Sequence, residues 1–412
     1  MSAAEAAGAP RRLASPAEVV AGLAGVYMAQ SVIGGVTFQG LPAVLRQDGA
    51  SLSEIGMLLV TVAPWSFKFL WSPWVESYRL PAGRPHRSRQ VVLIGGVVVM
   101  AMMVGAGLAG PGALGLLMTL LTIAAFATAT VDIACDGYAV ETLSERHRGW
   151  GNAAQVAGAY AGTAIGGGLF LVLVDHLGWA FACFAMAAAL AALCALFVLG
   201  RDGPRPPRAA DAERPNLRAA LRRREVRYGL LLVALYVVGQ KWAMVLIGPY
   251  LVDAGLSLTW IGVINGFGGM GAGVLGALMG GGLVRRFGGG RVAIVSMGLQ
   301  AAVTLGFAVS AAYGLHGAWI VAALALLNAV VMAVGFVALY ARLMGYASLD
   351  QAGVDFTLFQ CADAIASVAG WLGASAFGDA LGYAWCFGLT GAVAVAATFV
   401  LAPAFRRADA AL

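Results

Sequence analysis

The chain has 412 residues, of which 60% are hydrophobic and only 11% are charged, and its mean hydropathy is +0.83. About a quarter of the residues of a soluble globular protein are charged, so the composition excludes a soluble enzyme and indicates a membrane protein. The formal net charge of +6 does not indicate nucleic-acid binding, because the arginines lie in short loops between apolar runs.

Apolar runs of about 20 residues, the length of a helix that crosses a bilayer, recur along the chain. Six precede residue 201 and six follow residue 227, so we expect an all-α membrane protein with twelve transmembrane helices in two six-helix bundles. No run alternates with the period of two that a membrane β-barrel requires. The expected spans are Ala17–Leu41, Leu52–Trp74, Gln90–Ala109, Gly112–Val140, Gly151–Val174, Ala180–Leu199, Tyr228–Val252, Thr259–Val284, Val292–Ala312, Ala318–Leu343, Gly353–Phe377 and Tyr383–Leu401.

One long polar segment, residues 201–227, separates the two groups of spans and is rich in proline and arginine. We interpret it as a solvated cytoplasmic linker between an N-terminal bundle, residues 1–200, and a C-terminal bundle, residues 228–412. With the N-terminus in the cytoplasm, the arginines between the spans fall on the cytoplasmic side and only Arg46 lies outside. This distribution predicts a multi-pass membrane protein with both termini in the cytoplasm.

The two groups of spans resemble each other in sequence. Residues 49–56, GASLSEIG, align with residues 255–262, GLSLTWIG, at an offset of 206, and a proline precedes each segment. A second pair, QVAGAYA from Gln155 and QCADAIA from Gln360, recurs at nearly the same offset. Duplicated six-helix halves around a shared substrate site are typical of major facilitator transporters, and this is the fold that we expect.

Ionisable side chains inside the spans are expensive, about 2.5–3.5 kcal/mol each at the bilayer centre, so each needs a partner or a function. Both lysines of the chain, Lys68 and Lys241, lie inside spans. Asp132 and Asp136 are four residues apart and share one helix face at the depth of Lys68. We expect one of them to neutralise Lys68 and the other to carry a proton; the alternative is a static ion cluster.

In the second half, Lys241 and Asp363 fall near mid-span, and we expect them to face each other. Protonation of Asp363 would release Lys241 to hold an anionic substrate, which is a workable symport cycle. Asp132, Asp136 and Asp363 are therefore assigned to proton coupling. Polar and aromatic residues at similar depth join Lys68 and Lys241 in the expected substrate-binding set: Tyr27, Gln30, Tyr160, Tyr236, Trp242, Asn265, Asn328, Gln360 and Trp371.

Arg79 and Arg285, also 206 residues apart, lie in the loops that follow the second span of each half. Together with Glu76 and Arg286 they are predicted to hold the cytoplasmic side shut. The alternative is that they are ordinary arginines of cytoplasmic loops.

Cofactor motifs have no suitable context in this chain. The segment 266–271, GFGGMG, matches a dinucleotide-binding pattern, but it lies inside an apolar span with no preceding strand. The cysteines show no metal-binding spacing, and the segment before Asp363 lacks the Gly-x-Gly of an intramembrane aspartyl protease. We expect no cofactor, no metal and no enzymatic activity, and we expect a monomer.

Two segments carry a more specific likeness. Residues 68–78, KFLWSPWVESY, resemble the K-F-L-W-S/A-P-x-x-D-R-Y signature of the AmpG-like permeases. VDIACDG from Val131 and the later Arg148-Gly149 are similar to their Q-D-I-x-x-D-A and R-G segments. The sequence departs from that pattern with Glu76 for Asp, Ser77 for Arg and Val131 for Gln.

The first span and loop, YMAQS from Tyr27 and LPAVLRQDGASLSEIG from Leu41, resemble the RhtX/FptX-type siderophore permeases of this group. The resemblance implies import of a siderophore, in its ferric form, across the inner membrane and driven by protons. Its partners would be this small molecule, protons and the lipid bilayer. Uptake of a muropeptide or another anionic conjugate, and efflux of a small molecule, remain as alternatives.

Overall fold

The computed structural model describes residues 13–204, 208, 213–315 and 317–410. Within these ranges the chain forms helices joined by short connections and contains no strand. By length and composition, nine helices in the described ranges suffice to cross a membrane, and a tenth crossing results when a bent pair counts as one span. The architecture is consistent with the twelve expected spans and confirms the predicted all-α membrane fold.

The first half contains six spans. They are α1, Pro16–Gln47; α2, Glu54–Leu70 and Ser72–Arg79 with a bend of 62° between them; α3, Ser88–Ala109; α4, Leu114–Thr142; α5, Glu145–Leu177; and α6, Trp179–Val198.

The second half begins with a short helix, Leu217–Arg222, and continues with six helices, four of which are long and apolar enough in their described residues to cross a membrane. They are α7, Arg224–Asp253; α8, which joins Leu258–Val263 to Gly269–Phe287 through a π turn; α9, Gly289–Ala312; α10, Ala318–Met344; α11, which starts at Ala352; and α12, Leu381–Leu401. A break at Gly382, where φ is +72°, separates α11 from α12.

Residues at the predicted offset of 206 form the same local structure, a turn followed by a helix N-cap, in both halves. Gly49 and Gly255 both have positive φ, +91° and +84°, which glycine adopts without the steric cost that a side chain would add. Two residues later, the hydroxyl of Ser51 accepts a hydrogen bond from the Glu54 amide, and that of Ser257 accepts one from the Trp260 amide. The repeated turn and N-cap support an internal duplication.

The helices leave two distinct ends of the bundle. Arg79, Arg148 and Arg342 lie at the same end, which we call the basic face; the other end is the opposite face. At the basic face the halves touch closely, because Gly149 packs on Val284 and Gly281 packs on the ring of Trp150. A Cβ at either glycine would lie within 3.0 Å of its neighbour, so the contact between α5 and α8 depends on small residues.

The described ends of the predicted linker are largely exposed and make a few contacts with the basic face. Asp202 forms an ion pair with Arg89 at 3.2 Å, and its Oδ1 lies 3.3 Å from His86 Nε2. At the far end, the Asn216 amide donates to the side chain of Gln351 at 3.1 Å. The domain boundaries 1–200, 201–227 and 228–412 stay a prediction.

Candidate functional site

A cavity of about 590 Å³ lies between the two halves. Its lining comes from α1, α2, α4 and α5 of the first half and from α7, α10 and α11 of the second half. It extends from the level of Lys68 past Gly34 and Phe38, toward the opposite face. The volume falls within the usual range of ligand pockets, roughly 300–1,000 Å³. Eight predicted site residues line it: Tyr27, Gln30, Lys68, Asp132, Tyr160, Lys241, Gln360 and Asp363.

A buried ionic network closes the protein at the basic face. The guanidinium of Arg79 contacts both carboxylate oxygens of Glu76, at 2.8 Å and 2.7 Å, and both of Glu141, at 3.0 Å and 2.5 Å. Glu76 also accepts a hydrogen bond at 3.0 Å from the backbone amide of Gly353, at the start of α11 in the other half. We call these four residues the basic-face gate.

Lys68 lies at the floor of the cavity, and its side chain is only 2% exposed. It donates hydrogen bonds to the carboxylate of Asp132 on α4 and to the amide oxygen of Gln360 on α11. The ammonium also lies 5.2 Å from the centre of the Trp65 ring, at cation–π distance. Lys68 therefore has a full set of partners and joins the two halves below the cavity.

Asp136 lies one helical turn beyond Asp132 and does not line the cavity. Its carboxyl is fully buried. Oδ1 accepts a hydrogen bond from the Tyr27 hydroxyl at 2.7 Å and from the Gln155 amide at 3.4 Å. Tyr27 and Gln155 themselves face the cavity, so this carboxyl contacts the cavity only through two polar side chains.

Lys241 and Asp363 form a looser pair on the other side of the cavity. Lys241 Nζ lies 3.8 Å from Asp363 Oδ1, and the two side chains are 22% and 15% exposed. Asp363 also accepts hydrogen bonds from the hydroxyls of Tyr340, at 2.7 Å, and Ser367, at 3.3 Å. The ring of Phe336 lies 5.0 Å from the ammonium. Asp363 can thus part from Lys241 and still keep the hydroxyl of Tyr340 as a donor.

Several predicted residues lie away from this cavity. Tyr236 is buried, and its hydroxyl contacts that of Ser296 at 3.0 Å. Asn328 accepts a hydrogen bond from Gln300 at 2.6 Å. Trp242 packs beside a hydrophobic cluster of the second half. These side chains pack against neighbouring helices or form hydrogen bonds with them. We therefore do not include them in the proposed substrate site.

The remaining predicted residues divide into two groups. The side chains of Asn265 and Trp371 lie outside the described part of the structure. Arg285 and Arg286, at the end of α8, are exposed on the basic face, whereas Glu76 and Arg79 form the buried gate. Of the four residues predicted to close this side, Glu76 and Arg79 therefore form the gate together with Glu141.

Sequence reasoning did not assign several residues that shape the cavity and the gate. Trp65 and Phe336 stand beside the two lysines, and Tyr340 and Ser367 hold Asp363. Glu141 is an acid at the basic-face end of a span, where it meets the buried Arg79. The sequence signal that could have identified Glu141 is an acidic residue at the end of a span, close to loops that are rich in arginine.

The comparisons with known proteins agree with this architecture. A family described as the Major Facilitator Superfamily matches residues 21–354. The anhydromuropeptide permease of Escherichia coli is 31% identical over 253 residues, which cover 60% of this chain and 51% of the permease. The chain thus spans about half the length of that curated relative.

Solved structures with the same fold are more distant in sequence. The Escherichia coli fucose:proton symporter FucP has a TM-score of 0.73 and 16% identity, covering 94% of this chain and 98% of its own. The human organic anion transporter TETRAN has a TM-score of 0.73 and 15% identity, covering 94% and 100%. With a match over residues 21–354 and this shared fold, the chain belongs to the Major Facilitator Superfamily.

Proposed function

We propose that this transporter imports an anionic conjugate of the muropeptide type across the bacterial inner membrane. Its two halves would expose the cavity alternately to the two sides of the membrane, and Lys241 would receive the anionic group of the solute. The proposal rests on the family, on the anhydromuropeptide permease among its relatives and on the chemistry of the cavity.

One observation carries the substrate class: Lys241 is partly exposed in the cavity and lies 3.8 Å from its counter-ion. This distance is beyond a hydrogen bond, and Asp363 has a hydroxyl donor of its own in Tyr340. A carboxylate of the solute can therefore replace Asp363 at the ammonium without leaving a buried acid unpaired, and a charge-assisted hydrogen bond to lysine favours that exchange.

The remaining walls suit a conjugate rather than a small inorganic anion. Trp65, Tyr160 and Phe336 offer large apolar faces, and Gln30 and Gln360 offer amides. Sites of this kind bury most of a ligand against apolar surface and orient it through a few polar groups. A molecule that joins ring and peptide parts to a carboxylate fits this combination.

Siderophore import, which the sequence resemblance implies, has no support in the comparisons. A named relative is an anhydromuropeptide permease, and this agrees with the alternative that the sequence left open. A muropeptide is therefore the primary candidate, and a ferric siderophore serves as the competing substrate in the test.

The proposed direction follows from the charge of the two faces. Arginines are enriched on the cytoplasmic side of membrane proteins, so the basic face would be cytoplasmic. The gate closes that side, and the cavity extends toward the other side, which would be the periplasm. The structure would then correspond to the state that receives solute for import, with a proton gradient as the driving force.

Uptake into proteoliposomes tests this proposal. We expect a radiolabelled anhydromuropeptide to accumulate under an inward proton gradient and unlabelled muropeptide, but not a ferric siderophore, to compete. Lys241→Gln removes the cationic group, so the affinity should fall by roughly 10- to 100-fold, the value of a hydrogen bond to a charged group.

Arg84→Gln is the matched control, because Arg84 is an exposed cation of the basic face far from the cavity, and its uptake should equal that of the wild type. Competition by the siderophore alone, or equal affinity in Lys241→Gln and Arg84→Gln, would contradict the proposed substrate.

A further inference from the structure

Asp136 is a buried acid without a cation of its own. Its carboxyl is fully buried, and in the described part of the chain Oδ2 accepts no hydrogen bond. The nearest ammonium, that of Lys68, is already bound by Asp132 and Gln360. Two carboxyls one helical turn apart thus share the neighbourhood of a single lysine.

The charge balance around Asp136 determines whether its carboxyl group is ionised or protonated. Lys68 and Asp132 neutralise each other, so an ionised Asp136 would place an uncompensated negative charge in a fully buried position. Such a charge costs several kcal/mol, and a buried acid then keeps its proton instead.

We infer that Asp136 carries the proton that drives transport. It is protonated in the state described here and releases its proton once the basic face opens. The assignment rests on the proposed function as a proton-driven importer. It separates the three acids of the cavity region by task, since Asp132 is the counter-ion of Lys68 and Asp363 is the counter-ion at the substrate site.

The cavity reaches Asp136 through the hydroxyl of Tyr27. This hydroxyl donates to Asp136 at 2.7 Å, and Tyr27 lines the cavity. When a proton enters from cavity water, Tyr27 passes its own proton to the carboxylate and takes the new one, so the phenol ends neutral. On release, the O–H bond of Asp136 breaks and the proton goes to water at the basic face.

The backbone that carries Asp136 also touches the gate. A Cβ on the next residue, Gly137, would lie 2.5 Å from the guanidinium of Arg79 and 3.0 Å from the Gly353 amide. Glu141, one turn further on, binds Arg79. Ionisation of Asp136 would therefore act electrostatically on the basic-face gate. Tyr27 contacts Asp136 directly. The other titratable groups around it are Lys68, Asp132, Cys135 and Tyr340, and the Arg79–Glu76–Glu141 network lies beyond Gly137.

Asp136→Asn tests the assignment, because the amide has the shape of the protonated carboxyl and can accept the Tyr27 hydrogen bond. In proteoliposomes, the variant should exchange labelled for unlabelled anhydromuropeptide within about threefold of the wild type. It should no longer accumulate the solute above its external concentration under a proton gradient. Asp175→Asn, at an exposed acid near the end of α5, should do both like the wild type.

Infrared spectroscopy supplies a readout that needs no substrate. The purified wild type should show the carbonyl stretch of a protonated carboxyl that shifts in D₂O, and Asp136→Asn should lack it while Asp175→Asn keeps it. Gradient-driven accumulation by Asp136→Asn, combined loss of its exchange and accumulation, or an unchanged infrared band would each overturn the inference. Failure of the wild type itself to exchange muropeptide would count against the proposed substrate and leave the infrared result to decide the proton site.

Discussion

The two lysines of the membrane region stand in opposite situations. Lys68 is 2% exposed and binds an acid of its own half and an amide of the other half. Lys241 is 22% exposed, and its acid lies 3.8 Å away with a hydroxyl donor of its own in Tyr340. The first cation is saturated with protein contacts, and the second has room to exchange its partner.

This difference indicates that Lys68 has a structural role, whereas Lys241 is able to exchange its partner. A buried ion pair with satisfied hydrogen bonds resists the loss of either member far more than an exposed pair does. Lys68 would therefore hold the floor of the cavity in place, whereas Lys241 would change its partner during transport. The following changes test that division, beginning with the largest expected effect.

Lys68→Gln should destabilise the protein by about 3–5 kcal/mol, because it leaves Asp132 buried without its cation. Thermal unfolding in detergent measures this loss. The double variant Lys68→Gln with Asp132→Asn removes both charges and should recover most of the stability. A double variant as unstable as the single one would show that the pair is not the source of the effect.

Gln360→Ala removes the contact that joins Lys68 to the second half while it leaves the Lys68–Asp132 pair intact. A hydrogen bond to a charged group contributes about 1.5–3 kcal/mol, so the population of the described state should fall by roughly tenfold or more relative to the state open at the basic face. Pulsed EPR distances between spin labels at Asp48 and Val252, both exposed toward the opposite face, measure that shift. Unchanged distances would contradict a link between the halves at this point.

Tyr340→Phe should have the smallest effect. It removes one hydrogen bond to the Asp363 carboxylate, about 1.5 kcal/mol at the lower end for a bond to a charged group, and leaves Asp363 more dependent on Lys241. Substrate must then compete harder for the ammonium, so its affinity should fall by up to about tenfold. Equilibrium binding of labelled muropeptide checks this, and a higher affinity in Tyr340→Phe would mean that the hydroxyl holds Asp363 against Lys241 rather than away from it.

The sequence predicted the fold well because the bilayer imposes a single rule on every span. Composition and run length indicated twelve helices, and the duplicated turn at Gly49 and Gly255 recurs in the structure with positive φ at both positions. The cost of a charge in a membrane predicted that each lysine would have an acidic partner, and the structure places Asp132 and Asp363 beside the two lysines.

The candidate site was harder to predict, because depth along a span does not say which way a side chain points. Tyr236 and Asn328 have the expected depth but bind Ser296 and Gln300 on neighbouring helices. Tyr340 was missed for the converse reason, since its hydroxyl reaches Asp363 only through the packing of α10 against α11. Helix rotation is set by contacts between helices, and a single sequence does not contain them.

Gly137 lies where the two halves are in close contact at the basic face. The space beside its Cα is already occupied by a guanidinium and by the first turn of the neighbouring half, so even a methyl group there has nowhere to go while the two bundles are pressed together. Gly137→Ala should separate the two halves at the basic face without altering a charge. It therefore offers a way to capture the opposite conformer for structure determination.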